Sequence, residues 1–440
     1  MKYSKSLAFF LLTLLFTGCV NIEWRGGMVP HIDFSKEADE KIKTYNRPPL
    51  RKITQNWEQF RGSTKNGHVQ KQDLDIAWKE IPETRWSTKC GPGHSSVITF
   101  ETQIITLEQD GEEEILIARK LEDGSETWRL AEKTKWYDMM SGEGPRSTPT
   151  LHEGKLYALF SNGILTCADA NTGKPIWKIQ TTGKDYDFPE WGISGSPLIW
   201  NDLIILCLGG ENSAVKAYSK VSGEMIWKSK LHGKGVYLSP EILPLLGENH
   251  LIVALEGKIA GLNPLDGDTL WEKPWKIFLN NAQIVQPIAV SSDSFVMAAG
   301  YGKGAECLNI AKKGSKNYQL STVWKSKDLK AKFSNPILKD GYIFGLSENL
   351  LVCIEAKTGK LMWRGKKYSY GRILLADQKL LILGHSGILS VVEANPKQFN
   401  EIFSHQLLND ARCWNGPAFV NGYLLARNGE QIACFDWVKN

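Results

Sequence analysis

Beyond the first twenty residues no apolar run is long enough to cross a bilayer, and neither sign of charge dominates, with 53 Lys and Arg against 48 Asp and Glu. The first absence leaves no internal membrane-spanning helix. The second, without any basic arm, gives no case for nucleic-acid binding. Also missing are Cys-x-x-Cys, any adjacent cysteine pair, Gly-x-Ser-x-Gly and His-Glu-x-x-His. Those gaps remove dithiol redox chemistry, the esterase elbow and the zinc-protease helix. The eight histidines, among them His94, His152, His232 and His385, show no metal-ligand spacing, so no metal site is assigned. Gly300, Gly302 and Gly304 mimic a phosphate loop, but no helix follows, and turn glycines are the better account.

What is present begins with Lys2 and Lys5, an apolar run from Leu7 to Phe16, then Thr17-Gly18-Cys19. This pattern is an export signal. Small residues before Cys19 resemble a lipoprotein processing box, which implies cleavage after residue 18 and a lipid on the Cys19 thiol. Val20 rather than aspartate at the next position implies, by the same resemblance, the outer membrane seen from the periplasm. Removing Lys2 and Lys5 with the leader takes the formal charge from +5 to +3. Residues 1–18 are therefore read as the signal peptide, 19–56 as a tether with a helical turn around Ser35 to Lys43, and 57–440 as the folded domain.

A phrase ending in tryptophan recurs along that domain, clearest in Leu165 to Trp177 and Leu351 to Trp363. Its marker falls at Trp78, Trp128, Trp177, Trp227, Trp271, Trp324, Trp363 and Phe403, at steps of roughly 40 to 53 residues. Within each unit, four short β-rich segments are separated by Gly, Asn or Asp, as in Ser147 to Leu151, Lys155 to Phe160, Ile164 to Ala168 and Pro175 to Gln180. Thr172-Gly173, Ser222-Gly223, Asp266-Gly267 and Thr358-Gly359 place glycine at the hairpin turn before the tryptophan. One four-stranded unit cannot bury both faces, so the units must stack around an axis. The fold class is all-β: an eight-bladed propeller of antiparallel blades. The last unit, from Pro417 to Trp437, supplies three strands, and Leu74 to Lys79 is expected to supply the fourth, closing the ring with both chain ends.

Of the cysteines other than Cys19, Cys167, Cys307, Cys353 and Cys434 fall at like positions in different units, and Cys207 in an apolar strand, so pairing among them is not expected. Cys90 and Cys413 precede the first strands of units that closure makes neighbours, which leaves a disulfide between them open.

The Ala-x-Asp-x-x-Thr-Gly-x-x-x-Trp signature resembles the tryptophan-docking repeat of the PQQ-like (pyrroloquinoline quinone dehydrogenase-like, BamB-like) β-propeller superfamily over residues 57 to 437. Trp57 to Gly62, Asn66-Gly67, Gly144 to Pro149, Trp191 to Pro197 and Leu424 to Asp436 resemble a narrower group of exported PQQ-like propellers common in planctomycetes. The resemblance implies an eight-bladed propeller. For its enzymes it also implies a calcium-held quinone under a vicinal disulfide. No adjacent cysteines exist here, and the recurring acids Asp169, Glu355 and Asp436 sit where a side chain bonds turn amides. PQQ with calcium is therefore an alternative, and no cofactor or catalytic residue is assigned.

If a ligand site exists, it lines the channel mouth, where residues before each innermost strand converge. These are His94, Arg146, Trp191, Ser194, Tyr237, Gln286, Lys332, Arg372 and Trp414, a cationic and aromatic set suited to an anionic or planar ligand. The competing reading has Arg146 and Arg372 bonding strand-end carbonyls and the aromatics plugging the axis. The expected function is a membrane-tethered, monomeric, non-catalytic binding scaffold in the cell envelope, holding a protein or extended peptide. The alternatives are a quinoprotein dehydrogenase of alcohols or sugars and a carbohydrate-binding module.

Overall fold

The computed structural model describes residues 48–278, 282–314 and 317–439, with backbone strands also at 21–23, 31–33 and 43–44. The leader and Cys19 lie outside the described residues, as does most of the expected helical turn, and Lys43 is in a strand. The chain divides into two compact units, Met1–Lys41 and Ile42–Asn440. In the first, Asn21–Glu23 pairs antiparallel with His31–Asp33.

The second unit carries eight antiparallel meanders, and among the described residues every regular element is a strand. Blade 1 starts at Ile98–Phe100, blade 2 at Thr150–His152, blade 3 at Leu198–Trp200 and blade 4 at Glu241–Leu245. Blade 5 starts at Ile288–Ser291, blade 6 at Ile337–Lys339, blade 7 at Arg372–Ala376 and blade 8 at Ala418–Val420. Blades 1 to 7 follow the units read from the repeat, and blade 8 departs from that reading in its fourth strand. Apolar clusters fill each junction between successive blades, and one of them joins Leu389 of blade 7, Leu425 of blade 8 and Ile104 of blade 1, which closes the ring.

Why tryptophan recurs is visible in the third and fourth strands. The residue opposite each marker is small or slender: Ala118 faces Trp128, Cys167 faces Trp177, Ala217 faces Trp227, Gly261 faces Trp271, Cys307 faces Trp324 and Cys353 faces Trp363. Val391 faces Phe403. In each of these blades the register shifts by one residue immediately after that position. A β-bulge bends the strand and re-aims side chains. The freed indole lies on the turn glycine of the next blade: a Cβ on Gly173 would sit 2.3 Å from Trp128 Cε3, and Gly223, Gly267 and Gly359 meet Trp177, Trp227 and Trp324 in the same way.

One expectation is corrected. The fourth strand of blade 8 is Glu83–Lys89, paired with Gln431–Asp436, and Cys434 faces Trp86 across the same bulge. Trp86 is fully buried and its Nε1 donates to Leu121 O at 2.8 Å, so it is the eighth docking residue. Leu74 to Lys79 instead runs past the end of the blade, pairing with it by a single bridge from Ile76 to Val438, with Ile76 and Ala77 buried in its core cluster and Trp78 edge-on to Trp437 at 5.2 Å. Without a third strand opposite it, Trp78 has no bulge to aim it at a neighbouring blade.

The segment read as a tether is held to the ring from Lys43 onward. Lys43–Thr44 extends blade 8 as a fifth strand, and Arg51 makes a bidentate pair with Asp436 at 3.0 and 2.7 Å while lying 4.1 Å over the Tyr423 ring.

Candidate functional site

Each innermost strand is entered from the same end of the axis, so the residues just before it gather there. A repeated Ser, Thr or Asn before proline locks these entries together. The Ser96 amide donates to Thr148 Oγ1, Thr148 to Ser196 Oγ and Ser196 to Ser239 Oγ, each at 3.0 Å. On the other side Gln286 donates to Asn335 Oδ1 at 2.7 Å and Gly416 to Ser96 Oγ at 3.0 Å. This girdle was legible only as a Pro-linked punctuation, as in Thr148-Pro149, Ser196-Pro197, Ser239-Pro240 and Asn335-Pro336.

Inside the girdle is a cavity of about 630 Å³, and His94, Arg146, Trp191, Ser194, Tyr237, Lys332, Arg372 and Trp414 all line it. Gln286 does not. Its Nε2 turns away to donate to Glu241 Oε2 at 2.8 Å, a buried carboxyl whose pKa is raised by desolvation against the pull of Lys65 and Arg61. The lining also includes Phe60, Tyr301, Phe333, Tyr370, His385 and Arg412, and it contains no Asp or Glu.

Phe60 belongs to a segment whose role the sequence did not show. At the far end of the inner strands, Trp57 N donates to Thr99 Oγ1 at 2.7 Å and Leu151 N to Glu58 O at 2.8 Å, on blades 1 and 2. A few residues later Arg61 Nη2 donates to Pro336 O at 2.9 Å and Leu375 N to Gly67 O at 2.8 Å, on blades 6 and 7. Residues 57–69 therefore cross the channel end, and the cavity is a cup with Phe60 in its floor.

Two aromatic pairs wall the cup. Trp191 stacks on Tyr237 with centroids 4.9 Å apart, and Phe333 on Trp414 at 5.1 Å. The Lys332 ammonium lies 4.6 Å from the Tyr301 ring centroid and 5.0 Å from those of Phe333 and Tyr370. Arg412 lies 4.9 Å over Trp414.

The two arginines behave differently. Arg146 donates to Asp138 Oδ2 at 2.7 Å, Ser141 Oγ at 2.8 Å and Gly142 O at 2.6 Å, which pins the small hairpin of Tyr137–Asp138 and Gly142–Glu143 beside the mouth. Arg372 donates through Nε to Trp414 O at 2.8 Å, and burial pushes its pKa down to about 10. Both thus bond carbonyls, as the competing reading held, yet the aromatics stand around the cavity and leave it open.

Neither histidine in the lining is charged near neutrality. Burial, then the nearby Arg146, lowers His94 to about 3. Burial and Arg412 lower His385, whose Nδ1 accepts from Trp414 Nε1 at 2.8 Å, so its proton is on Nε2. Cys90 and Cys413 are free thiols, 3.6 Å from Asn428 O and 3.2 Å from Arg427 O respectively.

A calcium ion that holds a quinone takes six or more oxygen ligands, with carboxylates prominent among them. The donor set of the cup is cationic, hydroxyl and aromatic, and it does not fit such an ion. Among the described residues no cluster of three His, Cys, Asp or Glu has metal-binding geometry. Of the recurring acids, Asp169 accepts from the Asn171 and Thr172 amides as expected for a turn, while Asp436 is taken by Arg51.

Sequence and fold comparisons agree with this architecture. Residues 111–365 match a family model described as outer membrane protein assembly factor BamB. The chain is 22% identical over 299 residues to BamB of Shewanella oneidensis, covering 64% of this chain and 67% of that protein. It is 26% identical to the quinoprotein alcohol dehydrogenase PedH of Pseudomonas putida, over 32% of this chain and 25% of the enzyme. Among solved structures, BamB from Moraxella catarrhalis superposes with a TM-score of 0.59 at 14% identity, covering 81% of this chain and 98% of that one. A europium-containing methanol dehydrogenase also gives 0.59, at 11% identity, over 86% and 90%. With the matched segment exceeding half of its length, the chain belongs to the BamB family of PQQ-like β-propellers.

Proposed function

We propose that this protein is an exported, lipid-tethered propeller that holds envelope proteins and catalyses no reaction of its own. The observation that carries this reading is a channel-mouth cavity with no carboxylate in its lining, the neighbouring Asp138 being paired with Arg146, in a chain whose family is described as an assembly factor. A calcium-held quinone needs carboxylate oxygens at the point where the inner strands converge, and the two imidazoles there, His94 and His385, are held below their ordinary pKa by burial. Here that point offers cations, rings and hydroxyls. The leader and Cys19 support export and attachment to a membrane, with the outer membrane as the expected side. The blade edges and loops then form the surface available to a protein or an extended peptide.

The test is affinity purification of the full, tethered protein after mild crosslinking in its own cells. Recovery of outer-membrane-assembly components supports the scaffold. Co-purification of a quinone, with dye-linked oxidation of alcohols or sugars that requires calcium, overturns it and favours the dehydrogenase reading that the PedH match keeps in view.

A further inference from the structure

We propose that a cleft at the end of the ring away from the cup binds a neutral pyranose unit of a glycan, with Trp200 as its stacking platform. The inference does not rest on the scaffold reading, because it concerns a separate small-ligand cleft.

Unequal blades make the cleft. Every inner strand is entered from the cup end, so its turn lies at the opposite end. Counted from the proline at each entry, blade 3 turns after three residues, Leu198–Trp200, whereas blade 4 runs five, Glu241–Leu245. Blade 5 reaches further still: Ile310 to Lys312 pair with Leu320 to Tyr318 beyond the start of its second strand, where Ser294 faces Asn309. Glu248 of blade 4 accepts from Lys312 and from Tyr318 Oη, which ties the two overhangs together. The step down to blade 3 is a cleft of about 670 Å³, a size for one or two sugar units. Its lining includes Trp200, Lys230, Glu248, Asn249, Asp268 and Tyr318.

Trp200 is a tryptophan that the rest of the fold leaves idle. It is neither a docking residue nor part of the cup. It is half-buried, packs on the apolar cluster between blades 3 and 4, and among the described residues has no stacked ring and no acceptor for its Nε1. Asn249 and Asp268 are exposed in the same cleft, and among the described residues their side chains make no hydrogen bond or ion pair. The turn holds Asp268 in place, because it follows Gly267, on which Trp227 lies, and its carbonyl accepts from Asn263 N at 2.8 Å.

A pyranose ring has an apolar face of axial C–H bonds and a rim of hydroxyls that both donate and accept. A half-open indole supplies a flat apolar face and one N–H donor. A carboxylate accepts from two hydroxyls, and a primary amide donates and accepts, which suits neighbouring hydroxyls on such a rim. Charge argues for a neutral ligand, since Glu248 is matched by Lys312 and Asp268 shares the cleft with Lys230. A wholly apolar ligand would strip water from the amide and the carboxylate and give nothing in return.

The experiment uses the full mature chain labelled with fluorotryptophan and follows its fluorine NMR signals as cellobiose, or the open-chain polyol sorbitol, is added. Trp200→Phe identifies the Trp200 signal. The expected result is a saturable shift of that signal with cellobiose, at a dissociation constant of about 1 mM, and none with sorbitol, which has no ring face. Asn249→Ala and Asp268→Ala should each weaken binding about three- to ten-fold, the scale of one hydrogen bond, and Trp200→Leu about ten-fold, read by saturation transfer to the sugar. Circular dichroism confirms that each variant is folded, and the two exposed positions decide the matter if Trp200→Leu is not. An equal response to sorbitol, a shift of other tryptophan signals without that of Trp200, tighter binding of glucuronate than of cellobiose, indifference to both exposed variants, or no saturation overturns the proposal.

Discussion

The indole of Trp86 lies against Gly124 in the first blade's turn, so close that a Cβ there would sit 2.6 Å from Cε3. Gly124 has φ of +77°, so its turn calls for glycine twice over, for backbone and for space. This contact carries the seam at which the amino-terminal strand of blade 8 meets blade 1. Gly124→Ala should cost about 2–4 kcal/mol, from positive φ and overpacking together. Gly154→Ala, at φ +71° with open space around it, should show only the backbone part, about 1 kcal/mol. Thermal or denaturant unfolding of the two variants makes the comparison.

The same seam holds a buried ion cluster. Glu108 accepts from Arg119 at 2.6 and 2.9 Å, and Arg427 of blade 8 lies 3.8 Å away. Burial alone raises the carboxyl pKa, but Arg119 and Arg427 outweigh it and hold Glu108 at about 2. A depressed carboxyl stabilises the fold above its unfolded value near 4.5 and loses that contribution as pH falls toward 2. Acid unfolding should therefore steepen in that window. Glu108→Gln should remove that contribution and cost about 3–5 kcal/mol at neutral pH, because two buried guanidiniums lose their acid. Unfolding followed against pH for both proteins checks this.

His94 and His385 also carry a sign. Both are held below the ordinary imidazole value by burial, so the unfolded chain takes up their protons first: stability falls once pH drops below about 6.5 and goes on falling until the folded value is reached, about 3 for His94. Denaturant unfolding followed against pH should then show no contribution from these rings above about pH 7.5 and a decline below about pH 6.5. Stability unchanged between about pH 6.5 and 5 in the wild type relative to a His94→Gln variant would contradict it.

Replacing Cys19→Ser should move the protein from the membrane pellet to the soluble envelope fraction and abolish labelling by a fatty-acid analogue, with the fold unchanged. Fractionation and labelling of both forms test it.

Much of this was readable before the fold was. Tryptophans 128 through 363 gave the blades because the marker recurs after a turn with glycine in most units, and residues just before the inner strands pointed at the cup. The closing strand was not readable from spacing, since Trp78 and Trp86 both stand about one repeat before Trp128; pairing with Gln431–Asp436 decides between them. Gln286 fell outside the cup because a buried carboxyl, Glu241, competes for its amide. The crossing of residues 57–69 depends on backbone bonds to Leu151 and Leu375, partners distant in sequence that no local pattern announces.

Ring closure by Glu83–Lys89 is the claim on which the cup and the seam both stand, and amide hydrogen exchange of the full chain tests it most directly. Peptides covering residues 83–89 and 431–436 should exchange together, as slowly as the inner strands, and more slowly than residues 74–79. Fast exchange of 83–89 beside a protected 431–436, or protection moved to 74–79, would contradict the account.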